Sequence, residues 1–259
     1  MSVSIVVMGA NGRMGATIAR LAQEGEKYEL AAVVARKGHE ASLKQYGCEV
    51  ATDLDSLLGK LDQAVIIDFT SPAASLEHAK VAAKHKTPIV MGTTGLTNEE
   101  RAELEGLAKT SPMFWAPNTS VGVHALTCIL PELVKILGEE YDLEMVELHH
   151  NKKKDSPSGT AMRLAECLAK AKNWDLDTVA NYHREGMIGE RPKEEIGIQT
   201  IRGGDVVGVH TVYAMGPGER IEITHHAHSR ETFAAGALRA AYWLAGREAG
   251  KLYSMSDMI

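Results

Sequence analysis

The sequence predicts an α/β protein with two architectures in one chain: a doubly wound parallel sheet, followed by an α+β part with a mostly antiparallel or mixed sheet. In the first half, short apolar runs alternate with helical stretches at the spacing of βαβ units, which is typical of a parallel sheet covered by helices. After Pro117 this alternation stops, and beyond residue 195 three runs alternate apolar with polar residues. Two domains are therefore expected.

Five parallel strands are predicted in the first part, each short, apolar and followed by turn residues. They cover residues 3–8, 30–35, 64–69, 88–91 and 113–116. The helices between them are predicted at residues 14–23, 54–60, 73–84 and 98–108. Helical connections of this length allow successive strands to run in the same direction.

The second part is predicted to start with one long apolar helix and one strand, at residues 121–137 and 143–150. A helix at 158–171 and a polar stretch at 173–195 follow. Glycine-containing turns then join residues 196–201, 206–215 and 220–226 into an antiparallel meander, and a closing helix covers residues 230–245. Such a sheet normally has one covered face and one face open to water or a partner.

The charge balance is acidic, with 28 Lys and Arg residues against 34 Asp and Glu residues. This argues against nucleic acid as the main partner, because phosphate neutralisation needs a basic surface. No apolar run approaches the about 18 to 20 residues that cross a bilayer, and the start lacks a basic n-region, so no membrane association and a cytoplasmic location are expected. Cys48, Cys128 and Cys167 have no CxxC spacing, which predicts neither a disulfide framework nor a cysteine zinc site.

A glycine-rich turn, Gly9-Ala10-Asn11-Gly12-Arg13-Met14-Gly15, lies between the first strand and the first helix. Compared with the dinucleotide fingerprint, Gly12 and Gly15 hold the second and third glycine positions, and Ala10 replaces the first. Gly12 lets the backbone approach a pyrophosphate at the helix N-terminus. The turn therefore predicts a nucleotide site in a Rossmann-like domain, with a tight turn that binds no ligand as the alternative.

The end of the second strand indicates which dinucleotide binds. NAD sites usually place Asp or Glu here to accept the ribose 2′-hydroxyl, whereas this chain has Ala35-Arg36-Lys37. Two cations without a carboxylate suit a 2′-phosphate, because Arg pairs with phosphate oxygens bidentately. NADPH is the expected cofactor, and NADH is the alternative. The loops at 92–95 and 116–119 follow the fourth and fifth strands and are expected to line the nicotinamide end of the site.

The densest group of reactive side chains lies at residues 147–161, with the sequence ELHHNKKKDSPSGTA. Strand alternation puts Glu147 and His149 on one face. Three lysines follow, and Ser158 is placed as the N-cap of the next helix. An imidazole, a run of ammonium groups and a helix N-terminus together fit protonation of a small anionic substrate.

A metal site is the alternative for the histidines. One set would be His149, His150 and Asp155, and the other His225, His226 and His228. Neither set has a recognised metal-ligand spacing, and the lysines beside the first would repel a cation. No metal site is therefore predicted.

Taken together, these segments resemble the 4-hydroxy-tetrahydrodipicolinate reductases, or dihydrodipicolinate reductases, of diaminopimelate and lysine biosynthesis. The likeness covers essentially the whole chain. It includes GANGRMG (9–15), DFT (68–70), GTTG (92–95), NTSVGV (118–123), ELHHNKKKDSPSGTA (147–161), REG (184–186), IRGGDVVGVHT (201–211) and ERIEITHHAHSR (219–230). The segment from the histidine pair to PSGTA is far more specific than the glycine turn.

The resemblance implies an NAD(P)H-dependent oxidoreductase that reduces 4-hydroxy-tetrahydrodipicolinate to tetrahydrodipicolinate with loss of water. It implies that His149 donates the proton, that Lys153 also acts in catalysis, and that the substrate's carboxylates are bound by His150, Gly159 and Thr160. The implied cofactor contacts are Gly9, Ala10, Asn11, Gly12, Arg13, Met14, Arg36, Gly92, Thr93, Thr94, Ala116, Pro117, Asn118 and Thr119.

The resemblance also implies a division of labour between two domains. Residues 1–118 and 230–259 would bind the dinucleotide, and residues 119–229 would bind the substrate and join the copies of a homotetramer. Two positions depart from the family pattern: Ser156 stands where alanine is common, and Ala35 where some members carry an acid that contacts the adenosine ribose. Other hypotheses are a two-domain NADPH-dependent reductase of a different small acid and a nucleotide sensor without turnover, which would have no chemical need for the segment from His149 to Thr160.

Overall fold

The computed structural model describes residues 2–61 and 63–259. They form two compact units, one containing the chain up to Val121 together with Arg230–Ile259, and the other containing Gly122–Ser229. The predicted domains, 1–118 with 230–259 and 119–229, differ from these units only at positions 119–121. The closing helix therefore belongs to the unit in which the chain begins.

The first unit is built on a seven-stranded sheet. Its strands, numbered along the chain, are β1 (Val3–Met8), β2 (Tyr28–Val34), β3 (Glu49–Ala51), β4 (Val65–Asp68), β5 (Ile89–Met91), β6 (Met113–Trp115) and β12 (Leu252–Tyr253). Their spatial order is β12-β6-β5-β4-β1-β2-β3, and every neighbouring pair is parallel. The predicted parallel sheet is confirmed, although β3 and β12 are too short to be recognised by periodicity.

Helices cover both faces of this sheet because its strands are apolar on both sides. Ile5 and Val7 of β1 point into one buried cluster, and Val6 and Met8 point into the other, as strand alternation requires. The helices of this unit are α1 (Arg13–Glu24), α2 (Leu54–Leu58), α3 (Pro72–His85), α4 (Asn98–Leu107), α8 (Glu231–Leu244) and α9 (Met255–Met258), with a 3-10 turn at Ala41–Tyr46.

The second unit contains a five-stranded mixed sheet. Its strands are β7 (Asp142–His149), β8 (Ala180–Asn181), β9 (Ile196–Arg202), β10 (Gly208–Gly216) and β11 (Glu219–Ala227), in the spatial order β11-β10-β7-β9-β8. Its helices are α5 (Val121–Leu137), α6 (Gly159–Ala171) and α7 (Leu176–Val179), with a 3-10 turn at Gly138–Glu140. Leu143 and Met145 of β7 are buried with Leu130 of α5 and with Leu164 and Leu168 of α6.

The predicted meander is wrong in one connection. β10 and β11 pair antiparallel as expected, but β9 pairs parallel with β7, and β7 lies between β9 and β10. The turn between β9 and β10 crosses the end of β7: Gly203 N donates to His149 O at 3.0 Å, and His150 N donates to Val206 O at 2.8 Å. These hydrogen bonds keep β7 in the centre of the sheet, where both of its edges are paired.

One helical segment has the length and mean hydropathy of a membrane span, although the sequence has no uninterrupted apolar run of about 18 to 20 residues. Among the described residues, one helical segment, Val121–Glu140, has 20 residues and a mean hydropathy of 1.5, which satisfies both criteria. Polar and charged residues interrupt its apolar runs, but the mean hydropathy of the segment stays high. Within this segment Ile129 is 53% exposed and Ile136 is 81% exposed.

Candidate functional site

The glycine turn of the first unit forms a tight backbone cradle at the start of α1. Gly9 has a φ of +63°, which favours glycine, and Gly12 N donates to Gly9 O at 2.8 Å. A Cβ on Gly15 would lie 2.3 Å from Gly9 O, so α1 approaches the turn as closely as the fingerprint requires. Gly9 is therefore the residue of this turn with a left-handed backbone conformation. Ala10, which aligns with the first glycine of the fingerprint, does not have a positive φ.

A cavity of about 650 Å³ opens beside this turn, a size typical of small-molecule sites. Of the predicted cofactor residues, the structure brings Gly9, Asn11, Gly12 and Arg36 to this cavity. The side chain of Asn11 is also used within the unit, because its Nδ2 donates to His39 O at 3.1 Å and to Ser42 Oγ at 2.8 Å. Bare glycine backbone and a helix N-terminus beside a cavity fit the phosphates of a dinucleotide.

Arg36 is the charged group of this cavity that remains available to a ligand. It is exposed and forms no ion pair among the described residues. The carboxylates that line the same cavity are engaged elsewhere: Asp53 caps α2, Asp55 binds Lys84 and His85, and Glu77 binds Lys80. Arg36 is therefore the residue of this cavity that can pair with an anionic group of a ligand.

A buried carboxylate also shapes this cavity. Asp68, at the end of β4, accepts hydrogen bonds from Thr70 N and Thr70 Oγ1, each at 2.7 Å, and lies 2.6 Å from His78 Nδ1. Thr70 and His78 both line the cavity. The DFT motif thus holds the turn after β4 through its aspartate, a role that sequence spacing did not suggest.

The remaining predicted cofactor residues do not line this cavity. Ala10 and Met14 pack into the apolar core, and Arg13 begins α1. Gly92 and Thr93 follow β5: Gly92 N donates to Asp68 O at 2.8 Å, and Thr93 Oγ1 lies 2.5 Å from Ser75 Oγ. Thr94 continues that loop in an exposed position, and Ala116, Pro117 and Asn118 follow β6.

Thr119 is fully buried, and its hydroxyl is already engaged. Thr119 Oγ1 donates to Phe233 O of α8 at 2.6 Å. Gly236 of the same helix packs so closely that a Cβ there would lie 1.8 Å from Thr119 O. The loop after β6 is thus locked to α8, and any cofactor contact of Thr119 would have to come from its backbone.

His149 is the centre of a separate group of side chains in the second unit. It ends β7 and is 8% exposed. Its Nδ1 lies 2.5 Å from Glu147 Oε2, and Glu147 is fully buried. The two side chains meet because residues two apart on a strand share a face, as the sequence predicted.

Glu147 is ionised and receives hydrogen bonds from three directions. Arg202 of β9 donates through Nη1 to Oε2 at 2.8 Å and through Nη2 to Oε1 at 2.7 Å, and Ser158 N donates to Oε1 at 2.9 Å. Burial by itself would raise the pKa of Glu147, but the hydrogen bonds from His149 and Arg202 outweigh it and lower the pKa to about 2. A fixed negative charge therefore lies behind the His149 ring.

His210 of β10 packs against His149, with ring centroids 5.2 Å apart and an interplanar angle of 73°. It is 4% exposed, and its Nε2 lies 2.9 Å from Ser158 Oγ. Burial and the neighbouring His149 lower the pKa of His210 to about 4, so the ring is neutral near pH 7. Sequence reasoning missed His210 because the residue lies 61 positions from His149, and only the pairing of β7 with β10 brings them together.

The predicted substrate-binding residues lie on the turn after β7 and at the start of α6. Lys153 Nζ lies 2.9 Å from Asp155 Oδ2, and Lys152 N donates to His150 Nδ1 at 3.2 Å. Ser158 is the N-cap of α6, as predicted, because its Oγ accepts from Ala161 N at 3.1 Å. Gly159 and Thr160 form the first turn of this helix, where backbone N–H groups attract a carboxylate.

The described residues contain no group of three or more His, Cys, Asp or Glu side chains arranged to hold a metal ion. His149 is instead bound to a carboxylate and packed against a second histidine. At the end of β11, the rings of His226 and His228 stack with their centroids 6.3 Å apart.

Solved structures with the same fold include dinucleotide-dependent enzymes. A dipicolinate-bound dihydrodipicolinate reductase from Paenisporosarcina sp. TG-14 matches with a TM-score of 0.78 and 23% identity, covering 100% of both chains. A probable dehydrogenase from Thermotoga maritima matches with a TM-score of 0.65 and 13% identity, covering 99% of this chain and 92% of its own. At these identities the likeness concerns the fold.

Sequence relatives are much closer. A 4-hydroxy-tetrahydrodipicolinate reductase from Oleidesulfovibrio alaskensis is 66% identical over 259 residues, and one from Nitratidesulfovibrio vulgaris (strain Miyazaki F) is 64% identical, each covering 100% of both chains. Sequence models of the dihydrodipicolinate reductase N-terminus and C-terminus match residues 3–119 and 122–259.

The fold and its two groups of residues define the class: an oxidoreductase that uses a nicotinamide dinucleotide, with a parallel nucleotide-binding unit and a second α+β unit. The chain belongs to the dihydrodipicolinate reductase family. The family that the motifs predicted is thereby confirmed, together with the fold class and the oxidoreductase activity.

Proposed function

We propose that this chain reduces 4-hydroxy-tetrahydrodipicolinate to tetrahydrodipicolinate with loss of water, as a step of diaminopimelate and lysine biosynthesis. The observation that carries the proposal is the His149 group: an imidazole held at Nδ1 by a buried carboxylate and followed along the chain by the capped start of α6. The full-length relatives, 66% and 64% identical, carry the name of this activity. The dipicolinate bound to the structural relative is a small dicarboxylate of the same class.

A reduced nicotinamide, when bound, supplies a hydride to the ring of the substrate. His149 supplies the proton that completes the reduction. Lys153 is the second catalytic group and adds positive charge beside the substrate. His150 and the N–H groups of Gly159 and Thr160 bind the two carboxylates.

NADPH is the proposed cofactor, on the strength of Arg36. Its guanidinium lines the cavity beside the glycine turn without an ion-pair partner among the described residues, and such a group pairs well with a 2′-phosphate. The backbone of residues 9–14 would hold the pyrophosphate. Gly92, Thr93 and Thr94 and the loop Ala116, Pro117, Asn118 and Thr119 are the proposed contacts toward the nicotinamide.

We also propose that the chain works as a cytoplasmic homotetramer joined through the second unit. The face of its sheet opposite to α5 and α6 carries a row of apolar side chains, because Ile201, Leu148 and Val209 are paired across three strands. Ile201 is 49% exposed. Apolar side chains in such a row favour burial against further copies of the chain.

A single assay tests the activity. The substrate is generated enzymatically, the full-length chain is added with NADPH, and absorbance is followed near ~340 nm, where the reduced nicotinamide absorbs. Substrate-dependent oxidation is expected, with no oxidation when the substrate is omitted. Absence of oxidation with both NADPH and NADH would overturn the proposed function.

A further inference from the structure

The His149 ring is held between two groups of different charge. On one side Glu147 Oε2 lies 2.5 Å from Nδ1, and on the other the neutral His210 ring packs at 5.2 Å between centroids. Within residues 2–61 and 63–259, Nε2 of His149 has no hydrogen-bond partner. The two nitrogens of this imidazole are therefore in chemically different positions.

The carboxylate behind Nδ1 is charged because it is fully enclosed by donors. Arg202 binds both of its oxygens, and the N-cap residue Ser158 donates its backbone N–H. A charged carboxylate can only accept a hydrogen bond, so it fixes Nδ1 as the nitrogen of His149 that carries a proton. Because Glu147 is fully buried behind His149, it acts through that side chain.

We propose that Glu147 is a positioning residue that decides which nitrogen of His149 gives up the catalytic proton. The proposal rests on the function proposed above for His149. In the step, the Nε2–H bond of the imidazolium breaks, its electron pair stays on Nε2, and the proton passes to the substrate. The Nδ1–H bond stays intact and donates to Glu147, so the neutral product is the Nδ1–H tautomer. The proton is replaced from solvent before the next turnover.

The surroundings of His149 support this direction of transfer. His210 is buried and neutral, so it does not compete for the proton, while Arg202 on β9 balances the charge of Glu147. The other charged groups on this side are Lys153 and Asp155 in the turn after β7, which pair with each other. No second carboxylate is hydrogen-bonded to either histidine among the described residues.

Gly208 provides the space that Nε2 needs. A Cβ built on Gly208 would lie 3.0 Å from His149 Nε2 and 3.4 Å from its Cδ2. A Cβ at this position would crowd Nε2, the nitrogen of His149 that faces away from Glu147. Because residue 208 is glycine, β10 presents only backbone atoms next to the proposed donor atom.

Nitrogen-15 NMR of the histidine side chains tests the proposal directly. In the full-length wild-type chain, the neutral form of His149 is expected to carry its proton on Nδ1. In Glu147→Gln, the amide NH₂ can donate to Nδ1, so the neutral form is expected to switch to the Nε2–H tautomer.

Glu144→Gln is the matched control, because Glu144 lies on the same strand and binds Arg184 and Arg191 but no histidine. It is expected to leave the tautomer of His149 unchanged. A wild-type His149 that carries its neutral proton on Nε2, or the same tautomer in wild type and Glu147→Gln, would overturn the proposal. The wild-type tautomer gives an answer even if Glu147→Gln does not fold.

Kinetics separate this proposal from the proposed function. In Glu147→Gln kcat is expected to fall at least about 10-fold, because the Nδ1–H tautomer of His149 is no longer the favoured product of proton transfer. KM for NADPH is expected to stay within about 2-fold. Gly208→Ala is expected to lower kcat at least about 10-fold while the Nδ1–H tautomer is kept. If wild type oxidises NADPH and kcat of Glu147→Gln is unchanged, the role of Glu147 fails while the reductase activity stands.

Discussion

Arg36 is the residue on which the proposed cofactor preference depends. We expect Arg36→Ala to raise KM for NADPH about 10-fold or more, because a charge-assisted hydrogen bond contributes about 1.5–3 kcal/mol. KM for NADH should change little, since that cofactor has no 2′-phosphate. Initial rates measured with each cofactor at saturating substrate test this.

Lys37→Ala is the matched control for Arg36, because the neighbouring lysine is exposed and does not line the cavity. Its effect on KM for NADPH should be clearly smaller. Equal losses in the two variants would mean that general positive charge, and not a paired guanidinium, attracts the phosphate. Equal losses for NADPH and NADH in Arg36→Ala would contradict the assignment of the 2′-phosphate to this residue.

His149 is the residue whose loss should separate chemistry from binding. His149→Gln keeps a polar side chain at the end of β7 but removes the titratable proton. We expect kcat to fall about 100-fold or more, within the range of general acid catalysis, while NADPH binding is retained because the cofactor cavity belongs to the other unit. Turnover assays and NADPH fluorescence titrations give the two quantities, and unchanged turnover would remove His149 from the donor role.

At the scale of an element, the start of α1 depends on a glycine that no other residue can replace without movement. A Cβ on Gly15 would lie 2.3 Å from Gly9 O and 2.9 Å from Ala10 Cα. We expect Gly15→Ala to destabilise the chain by about 1–3 kcal/mol, as overpacking does, and to weaken NADPH binding by displacing the cradle. Urea unfolding and cofactor titration measure both effects.

Gly106→Ala serves as the control for this helix substitution. Gly106 lies inside α4, and a Cβ there would have no atom within 4 Å. Because alanine favours a helix by about 0.8–1.0 kcal/mol over glycine, this variant should be as stable as wild type or slightly more stable. If Gly15→Ala lowers the free energy of unfolding and Gly106→Ala does not, the close approach to Gly9, and not helix propensity, determines the effect at position 15.

At the scale of the whole molecule, two buried groups make stability depend on pH. The pKa of His210 is lowered from 6.5 to about 4 and the pKa of Glu147 from 4.5 to about 2. In both cases the unfolded chain takes up the proton first as the pH falls. The free energy of unfolding should therefore decrease between pH 6.5 and 4 through His210, and again between 4.5 and 2 through Glu147, by on the order of 3 kcal/mol each.

Urea unfolding at a series of pH values measures this dependence, and His210→Asn is the informative variant. It removes the ring that titrates between pH 6.5 and 4 and leaves the Glu147 ion pair in place. The slope of unfolding free energy against pH should become shallower in that interval and stay similar below it. The same slope in variant and wild type between pH 6.5 and 4 would contradict the account of His210.

Self-association also belongs to the whole molecule. Ile201→Glu places a charge in the apolar row of the second unit's sheet, where Ile201 pairs with Leu148 of β7. We expect the mass measured by sedimentation to fall below that of a tetramer, because a buried unpaired charge disfavours the interface. Ile259→Glu is the control, since Ile259 is similarly exposed, at 53%, but lies in the other unit. An unchanged mass in Ile201→Glu would exclude this face as the contact.

The elements predicted best are those whose periodicity is long or whose turns carry glycine. The runs 3–8 and 121–137 coincide with β1 and α5. The strands that were missed are among the shortest: β3 has three residues, and β8 and β12 have two each. These strands lie at the edges of the two sheets, where an extended segment can pair with backbone N–H and C=O groups that would otherwise lack partners.

The sequence by itself determined the family, the alternation of strands and helices along the first unit, and the placement of Glu147 and His149 on one face of a strand. The last two depend only on neighbours along the chain. Tertiary structure alone decided three other features. It placed β7 between β9 and β10, it brought Arg202 and His210 to His149, and it gave Gly208 its place against Nε2. The physical reason is that hydrogen bonding between strands joins residues far apart in sequence, and periodicity within a segment carries no information about which strand becomes its neighbour.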